Sequence, residues 1–283
     1  MENRSDSFKG KETYVGGHGV EEERRLDLQA ELLEPSLERL LRDYVHLGDS
    51  VADFGTGRGN VALLMERLVG SKGSVYAVDR LPGAMRISRE KFAERGHAVH
   101  LLQGDITKLP LADNALHCGY ARFILMHLTS EQRDAAIEEM KRTVKNGGHI
   151  ISQEPVWEGW EVEGSRAFPK FFEIATQYNQ RFGKELRMGE QLDTLFRAHG
   201  LAPKIMKEQE VLEPSRDSWL IPYYWLKRSQ ASIVQQEMKT SDGHEINDAY
   251  IENILTEFLQ ERADPSCTMK FTPMYTAVAQ VKK

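Results

Sequence analysis

Cysteine and long apolar runs are scarce in this chain of 283 residues, and each scarcity excludes a class of protein. The two cysteines, Cys118 and Cys267, lie far apart and show no metal-ligand spacing, so we expect two small buried thiols, a reducing compartment and no metal site. No window approaches the roughly 18 uninterrupted apolar residues of a membrane span, and the polar N-terminus lacks the apolar core of a signal peptide. We therefore expect a cytoplasmic protein.

The chain also has fewer basic than acidic residues. The chain carries 37 basic and 43 acidic residues, a net charge of -6 at pH 7, and it has no long Lys/Arg run. Proteins that follow a phosphate backbone concentrate basic residues on one face, so nucleic acid is a poor candidate partner. The length suits one large domain or one domain with a cap, because single cores stop growing near about 250–300 residues.

The most informative stretch is VADFGTGRGN, residues 51–60. An apolar run containing Asp53 meets a turn with Gly55, Gly57 and Gly59, and the following VALLMERLV has helical spacing. This order predicts a strand, a tight turn and a helix. Alternate glycines let a bulky ligand lie directly on backbone N–H groups at the start of the helix, where a Cβ would collide with it.

The spacing of the glycines distinguishes between ligands. A dinucleotide loop needs G-x-G-x-x-G, whereas here Asn60 and Val61 stand where a late glycine would be expected. The pattern resembles instead the nucleoside loop of class I S-adenosylmethionine (SAM) methyltransferases, of the small-molecule, UbiE-like kind. The resemblance implies SAM as cofactor. A nicotinamide oxidoreductase and a SAM-binding regulator without chemistry remain as alternatives.

Two further acids fit the same nucleoside site. Asp79 ends the next apolar run, about 20 residues beyond the last glycine, where a carboxylate accepts hydrogen bonds from both ribose hydroxyls. Farther on, Gly104-Asp105-Ile106 resembles the family's adenine site, in which the acid binds the exocyclic amine and the aliphatic side chain covers the ring. The alternatives are a helix cap for Asp79 and a plain turn for Asp105.

The segment ahead of the loop resembles the leader of many small-molecule methyltransferases. It contains Y-x-x-G at Tyr14 and E-x-x-R-L-x-x-Q with Arg25 and Gln29, which share one face of a helix. The resemblance implies that residues 1 to about 30 close over the cofactor, whereas the spacing alone indicates a solvated helix face. We expect Pro35 to break or restart this helix.

A third resemblance lies after the fourth predicted strand, where Arg122, Leu125, His127 and Leu128 match the family's R-x-x-L-x-H-L element. His127 either faces the methionine end of the cofactor or is a half-buried structural residue. Glu154, at the tip of the fifth strand, is expected to point toward the transferred methyl group. The candidate general bases are His18, His127 and Glu154.

Strands and helices alternate from residue 51 to about 155, which predicts a doubly wound, mostly parallel α/β sheet of the Rossmann-like methyltransferase type, with seven strands and an antiparallel last strand. The predicted segments are lid helices (1–47), a SAM-binding domain (48–213), a helical cap insertion (214–264) and the final strand (265–283). The aromatic insertion contains WLIPYYWLKRS, and either a cap over the site or a dimer contact would bury its rings.

These motifs predict SAM-dependent methyl transfer to a small, apolar or aromatic acceptor, by a monomer or a homodimer. The (N/D)-P-P-(Y/F) tetrapeptide by which some nucleic-acid and protein methyltransferases grip a planar amine is absent. Residues expected at the acceptor are Glu154, Trp157, Tyr224 and Trp225. Residues expected at the cofactor are Tyr14, Arg25, Gln29, Asp53, Gly55, Thr56, Gly57, Gly59, Asp79, Arg80, Gly104, Asp105, Ile106, Arg122 and His127.

Overall fold

The computed structural model describes residues 19–94 and 99–283. Its main sheet has seven strands in the order β3-β2-β1-β4-β5-β10-β7, and only β10 runs antiparallel to its neighbours. The strands are β1 (Ser50–Phe54), β2 (Ser74–Asp79), β3 (Val99–Gln103), β4 (Leu116–Arg122), β5 (Val144–Pro155), β7 (Lys204–Glu208) and β10 (Met274–Gln280). The predicted fold class, including the antiparallel final strand, is confirmed.

Helices flank this sheet, and each has a local cause. They are α1 (Val20–Arg42), α2 (Asn60–Val69), α3 (Pro82–Glu94), α4 (Ser130–Thr143) and α6 (Met188–Ala198). Pro82 opens α3 at a position where a missing N–H costs nothing, and Thr129 caps α4 in a reciprocal box with Gln132. The apolar faces of α2 and β1 share one buried cluster, which includes Val51, Leu64 and Met65.

A second unit covers the carboxyl ends of the strands. It consists of α5 (Ala167–Arg181), α7 (Ile221–Gln235), α8 (Asp248–Glu261) and a small sheet of β6 (Glu161–Glu163), β9 (Thr268–Lys270) and β8 (Val211–Leu212). Its core is rich in aromatic rings: Trp219 is fully buried and Trp225 is 5% exposed. These rings are buried against one another within the chain, and we refer to this unit as the cap.

The cap differs from the predicted segment in where it begins. Helix α5 packs against α7 and α8, so it belongs to the cap although the predicted boundary at residue 213 assigned it to the sheet domain. The sequence shows α5 only as an amphipathic helix, and its partners lie more than 40 positions later. Chain order alone therefore could not assign it.

Helix α1 also departs from expectation, because it continues through Pro35 without a break. Its first half packs Leu28, Leu32 and Leu33 into the aromatic cluster of the cap, and its second half packs Leu37 and Leu41 beside α2. Burial on both sides of Pro35 offsets the backbone hydrogen bond that proline cannot donate. The predicted break at this position is wrong.

Cys118 and Cys267 are both buried and free, as expected. Over the described ranges, no helix combines the length and the apolar character needed to cross a membrane.

Candidate active site

The loop between β1 and α2 has the backbone geometry that its glycines allow. Gly55, Gly57 and Gly59 all have positive φ angles, of 73°, 52° and 75°. A Cβ at Gly55 would lie 2.1 Å from Cδ1 of Ile124, and one at Gly59 would lie 2.5 Å from Phe92. At Gly57 a Cβ would meet no atom within 4 Å. Gly57 lines the cavity described below, so its backbone is the part of the loop that is open to a ligand.

The two strand-end acids hold this loop in place. Asp53 accepts a hydrogen bond from Oγ1 of Thr56 at 2.6 Å, and Asp79 accepts one from the N–H of Gly57 at 2.8 Å and another from Leu81 at 2.9 Å. Burial raises the pKa of Asp53 to about 6, although Thr56 opposes the shift, and burial also raises the pKa of Asp79. Each carboxylate has further acceptor capacity for a ligand.

The predicted adenine site forms at the end of β3. Oδ1 of Asp105 accepts hydrogen bonds from the N–H and the hydroxyl of Thr107, at 2.8 and 2.7 Å. Gly104 is required there, because a Cβ would lie 2.5 Å from Cδ of Pro110. Ile106 is buried and lines the same cavity as Asp105. An acid and an aliphatic wall therefore stand side by side.

One cavity of about 370 Å³ joins this sheet edge to the cap. Among the described residues, all the predicted cofactor residues except Gly59 line it: Arg25, Gln29, Asp53, Gly55, Thr56, Gly57, Asp79, Arg80, Gly104, Asp105, Ile106, Arg122 and His127. Its other wall includes the cap residues Trp157, Trp160, Phe182 and Trp225. The cavity thus has a polar end at the sheet and an aromatic end beneath the cap.

The face of α1 is part of this wall and not a solvated surface. Arg25 donates to both carboxylate oxygens of Glu22, at 2.7 and 2.8 Å, and to Oε1 of Gln29 at 2.7 Å. Glu22 is only 3% exposed, and its Oε2 also lies 2.7 Å from Nε of Arg228 on α7. A buried carboxylate therefore links the leader helix to the cap through two guanidinium groups.

His127 and Lys184 also line the cavity. Desolvation deep in the site, together with Lys184, Arg80, Arg25 and Arg228, lowers the pKa of His127 far below its usual value, so its ring is neutral at pH 7. Burial, with Arg228 and Arg25 nearby, lowers the pKa of Lys184 to about 7. Each nearby cation makes protonation of these two side chains less favourable.

The placement of Glu154 corrects the sequence prediction. Its side chain is fully buried and accepts backbone hydrogen bonds from Ile124, Leu125 and Met126, at 2.9, 2.8 and 3.4 Å. Burial raises its pKa to about 7, and the three amide donors oppose that shift. The carboxylate fixes the turn after β4, so it does not face the cavity as an acceptor residue or a base.

Tyr224 is also misplaced by the sequence prediction. It packs edge-on against Tyr223 outside the lining of the cavity, whereas Trp225 lines it and Arg228, one helical turn later, stands over the Trp225 ring at 5.3 Å. Consecutive helix positions point about 100° apart, and Tyr224 is not among the residues of α7 that line the cavity. Tyr14 and His18 lie outside the described residues, and their predicted roles stay predictions.

Several lining residues were not among the predicted site residues: Glu22, Phe123, Trp160, Asn179, Phe182, Lys184 and Arg228. Glu22 and Arg228 carried a usable signal, since they lie three residues from Arg25 and Trp225 on their helices. Asn179 and Lys184 carried none, because their position depends on how α5 packs against the sheet.

Comparison with known proteins identifies this architecture. The model of a methyltransferase domain matches residues 51–148. The chain is 31% identical over 154 residues to a ubiquinone/menaquinone biosynthesis C-methyltransferase UbiE of Pseudomonas putida, which covers 52% of this chain and 59% of that protein. It is 31% identical over 151 residues to a UbiE protein of Ectopseudomonas oleovorans, covering 50% of this chain and 86% of the relative. The chain thus spans less than two thirds of its Pseudomonas relatives.

A solved structure shares the fold. Geranyl diphosphate methyltransferase in complex with SAM superposes with a TM-score of 0.51 over 91% of this chain and 90% of that chain, at 15% identity. The comparisons give no support to the nicotinamide oxidoreductase considered from the sequence. With the seven-stranded sheet and the glycine loop, these matches show that the chain belongs to the UbiE-like family of SAM-dependent methyltransferases.

Proposed function

We propose that this protein transfers a methyl group from SAM to a small, apolar or aromatic acceptor enclosed beneath the cap. One observation carries the proposal: the glycine-loop edge of the sheet and the aromatic wall of the cap line a single cavity. A binding protein without chemistry needs only the first half of that cavity. Two adjoining compartments suit a reaction between two molecules.

The residues at the sheet edge fit SAM. The open backbone at Gly57 would accommodate the nucleoside, and Asp79 would accept hydrogen bonds from the ribose hydroxyls. Asp105 and Ile106 would contact the adenine ring. Nη1 of Arg122 is buried without a hydrogen-bond partner among the described residues, beside Asp53 in the same wall. This guanidinium and the Arg25–Gln29 pair would hold the methionine end.

SAM would supply a methyl group on a sulfonium: an electron pair of the acceptor would form the new bond to carbon, and the electrons of the carbon–sulfur bond would return to sulfur. The chain's own contribution is to hold the acceptor in line and to exclude water. Orientation of this kind contributes up to ~7–11 kcal/mol. The aromatic wall of Trp157 and Trp225 performs both tasks in this proposal.

Proton removal is a smaller part of the proposed mechanism. A general base adds roughly 10²–10⁴-fold, and it matters mainly when the acceptor atom is a hydroxyl or a protonated amine. Of the three bases predicted from the sequence, His127 lines the cavity, Glu154 does not, and His18 lies outside the described residues. Since the pKa of His127 is lowered, we assign it a neutral hydrogen-bonding role toward the acceptor or the methionine end.

Two measurements test the proposed function. Calorimetry should detect binding of SAM and S-adenosylhomocysteine but not of NAD. Incubation with methyl-labelled SAM and a small-molecule cell extract should then give a labelled small product by mass spectrometry. Binding of NAD in place of SAM, or SAM binding without any transfer, would contradict the proposal.

The same incubation tests the class of partner. Bulk tRNA and cell protein, offered as acceptors, should remain unlabelled, because an enclosed cavity cannot admit a polymer and the chain is acidic overall. We also propose a cytoplasmic location and a monomer or homodimer, which fractionation and size-exclusion chromatography with light scattering would test. Strong labelling of either polymer would overturn the small-molecule assignment.

A further inference from the structure

The cap end of the cavity holds more positive than negative charge. Arg25, Arg228 and Lys184 meet there, and the carboxylate among them is Glu22. Glu22 binds both guanidinium groups through the same oxygen, at 2.7 Å each. The carboxylate of Glu22 is therefore paired with the two arginines. Among the described residues, no carboxylate forms an ion pair with Lys184.

Lys184 is a costly residue to place in this position. Its backbone N–H donates to the carbonyl of Asn179 at 3.2 Å, which fixes the residue at the end of α5, but no described residue forms a hydrogen bond or ion pair with its ammonium group. Lys184 is partly buried. Desolvation of an ammonium group that has no described partner is unfavourable, and it lowers the pKa of Lys184 to about 7. A cation kept at a cavity wall under these conditions needs a ligand to pair with it.

Two neighbouring polar groups also lack partners. Asn179 is 1% exposed and Trp160 is 4% exposed. Within the part of the chain that the structure describes, neither Oδ1 of Asn179 nor the indole N–H of Trp160 has a hydrogen-bond partner. Both residues line the cavity. The amide of Asn179 can turn to present its NH₂ group, so both side chains can act as donors to an anion.

The cofactor does not supply the missing negative charge. At neutral pH SAM carries a carboxylate, an ammonium and a sulfonium group, so its entry adds positive charge to the cavity. Its carboxylate can pair with one of the cations near α1. A negative charge that pairs with Lys184 can then come from the second molecule in the cavity.

We propose that the methyl acceptor is an anion, with a carboxylate or phosphate group held by Lys184 and Arg228 and an apolar or aromatic body packed against Trp157 and Trp225. This inference rests on the proposed function and narrows its substrate class. Such a ligand gives Lys184 the partner it lacks and leaves the reacting atom free to face the sheet edge. The charged groups around Lys184 are Arg25 and Glu22 on α1 and Arg228 on α7. The titratable ring of His127 after β4 also faces Lys184, but it is neutral.

The experiment divides the acceptors by charge. A small-molecule extract is separated on an anion-exchange resin at pH 8 into a retained and an unretained fraction, and each is incubated with methyl-labelled SAM and the protein. We expect label in the retained fraction alone. Phosphatase treatment before the separation distinguishes the two anions, since it removes a phosphate acceptor from that fraction and leaves a carboxylate acceptor in it.

Two variants test whether Lys184 is responsible for methyl transfer to an anionic acceptor. Lys184→Met keeps the length of the side chain and removes its charge, and should reduce transfer into the retained fraction at least tenfold while the Kd for SAM stays within twofold. The matched control is Lys170→Met, also in the cap, whose ammonium pairs with Glu257 away from the cavity. It should change neither quantity.

Each outcome decides between separate statements. Label in the unretained fraction overturns the anionic acceptor and leaves methyl transfer intact. Full transfer by Lys184→Met overturns the role of that residue. If SAM binds and neither fraction is labelled, the proposed function itself fails and the acceptor assignment fails with it.

Discussion

The carboxylate of Asp79 and the backbone N–H of Gly57 form a 2.8 Å hydrogen bond that joins the end of β2 to the glycine loop after β1. A single acid thus shapes the loop and also stands where a ribose would bind. Asp79→Ala should weaken SAM binding by ~1–3 kcal/mol, since two ribose hydroxyls and one loop amide lose their acceptor. Calorimetry measures this directly. Asp113→Ala, which removes an exposed partner of Arg142, is the control and should leave the affinity unchanged.

A substitution at Gly57 can show whether a side chain in the loop blocks the cofactor or only strains the backbone. Gly57→Ala places a side chain at φ 52° with no atom within 4 Å, so stability should fall by only ~1–2 kcal/mol while SAM binding falls at least tenfold. Gly200→Ala is the matched control, because Gly200 has φ 74° and equally open space but lies at the end of α6 away from the cavity. It should lose similar stability and bind SAM normally. Equal SAM affinity in both variants would mean that the loop does not contact the cofactor.

The two central tryptophans of the cap distinguish packing from acceptor binding. Trp225 lines the cavity, whereas Trp219 is fully buried in the same cluster outside its lining. Trp225→Phe should lower kcat/KM for the acceptor about tenfold or more, with little change in the Kd for SAM, because the cofactor is held at the sheet edge. Trp219→Phe should lower the melting temperature without that kinetic change. A normal kcat/KM in Trp225→Phe would contradict an acceptor pocket beneath the cap.

The lowered pKa of Lys184 has a consequence for stability that depends on pH. Its pKa is about 7 in the folded chain and about 10.4 when unfolded, so the unfolded state binds more protons between these values and stability rises with pH across that window. The destabilising effect of Lys184 is therefore complete below pH 7 and disappears toward pH 10. Lys184→Met should raise the free energy of unfolding at pH 6 by an amount of the order of 1 kcal/mol, and by less at pH 9. Urea unfolding at both pH values measures the difference. An equal gain at the two pH values would show that Lys184 is not a buried cation.

The sequence was sufficient for the sheet and for its cofactor edge because those features are local. The glycine turn, the acid at the end of β2 and the Asp105-Ile106 pair are each specified within a few residues, and parallel strands bring such positions to one edge. The same reasoning failed for Glu154. Its place at a strand end was correct, but a buried carboxylate takes the nearest backbone donors, and the turn at Ile124–Met126 supplied three.

The charged part of the proposed acceptor end could not be predicted because it is assembled from distant segments. Glu22, Lys184 and Arg228 come from α1, the residue run after α5, and α7, and only the packing of the cap brings their charges together. Helical spacing shows which residues share a face of one helix, but it does not show which helix that face meets. Pro35 illustrates the same limit, since burial of leucines on both sides of it overrides its local tendency to end a helix.

Helix α1 belongs to two hydrophobic cores at once. Leu28 and Leu32 pack with the aromatic rings of the cap, and Leu37 and Leu41 pack with the helix that follows the glycine loop. Because one helix packs into both cores, a tilt of the cap away from the sheet would break the leucine contacts at one end of that helix. We therefore expect ligand exchange to proceed by small local displacements around the mouth of the cavity, because a hinge between the cap and the sheet would break one set of these contacts.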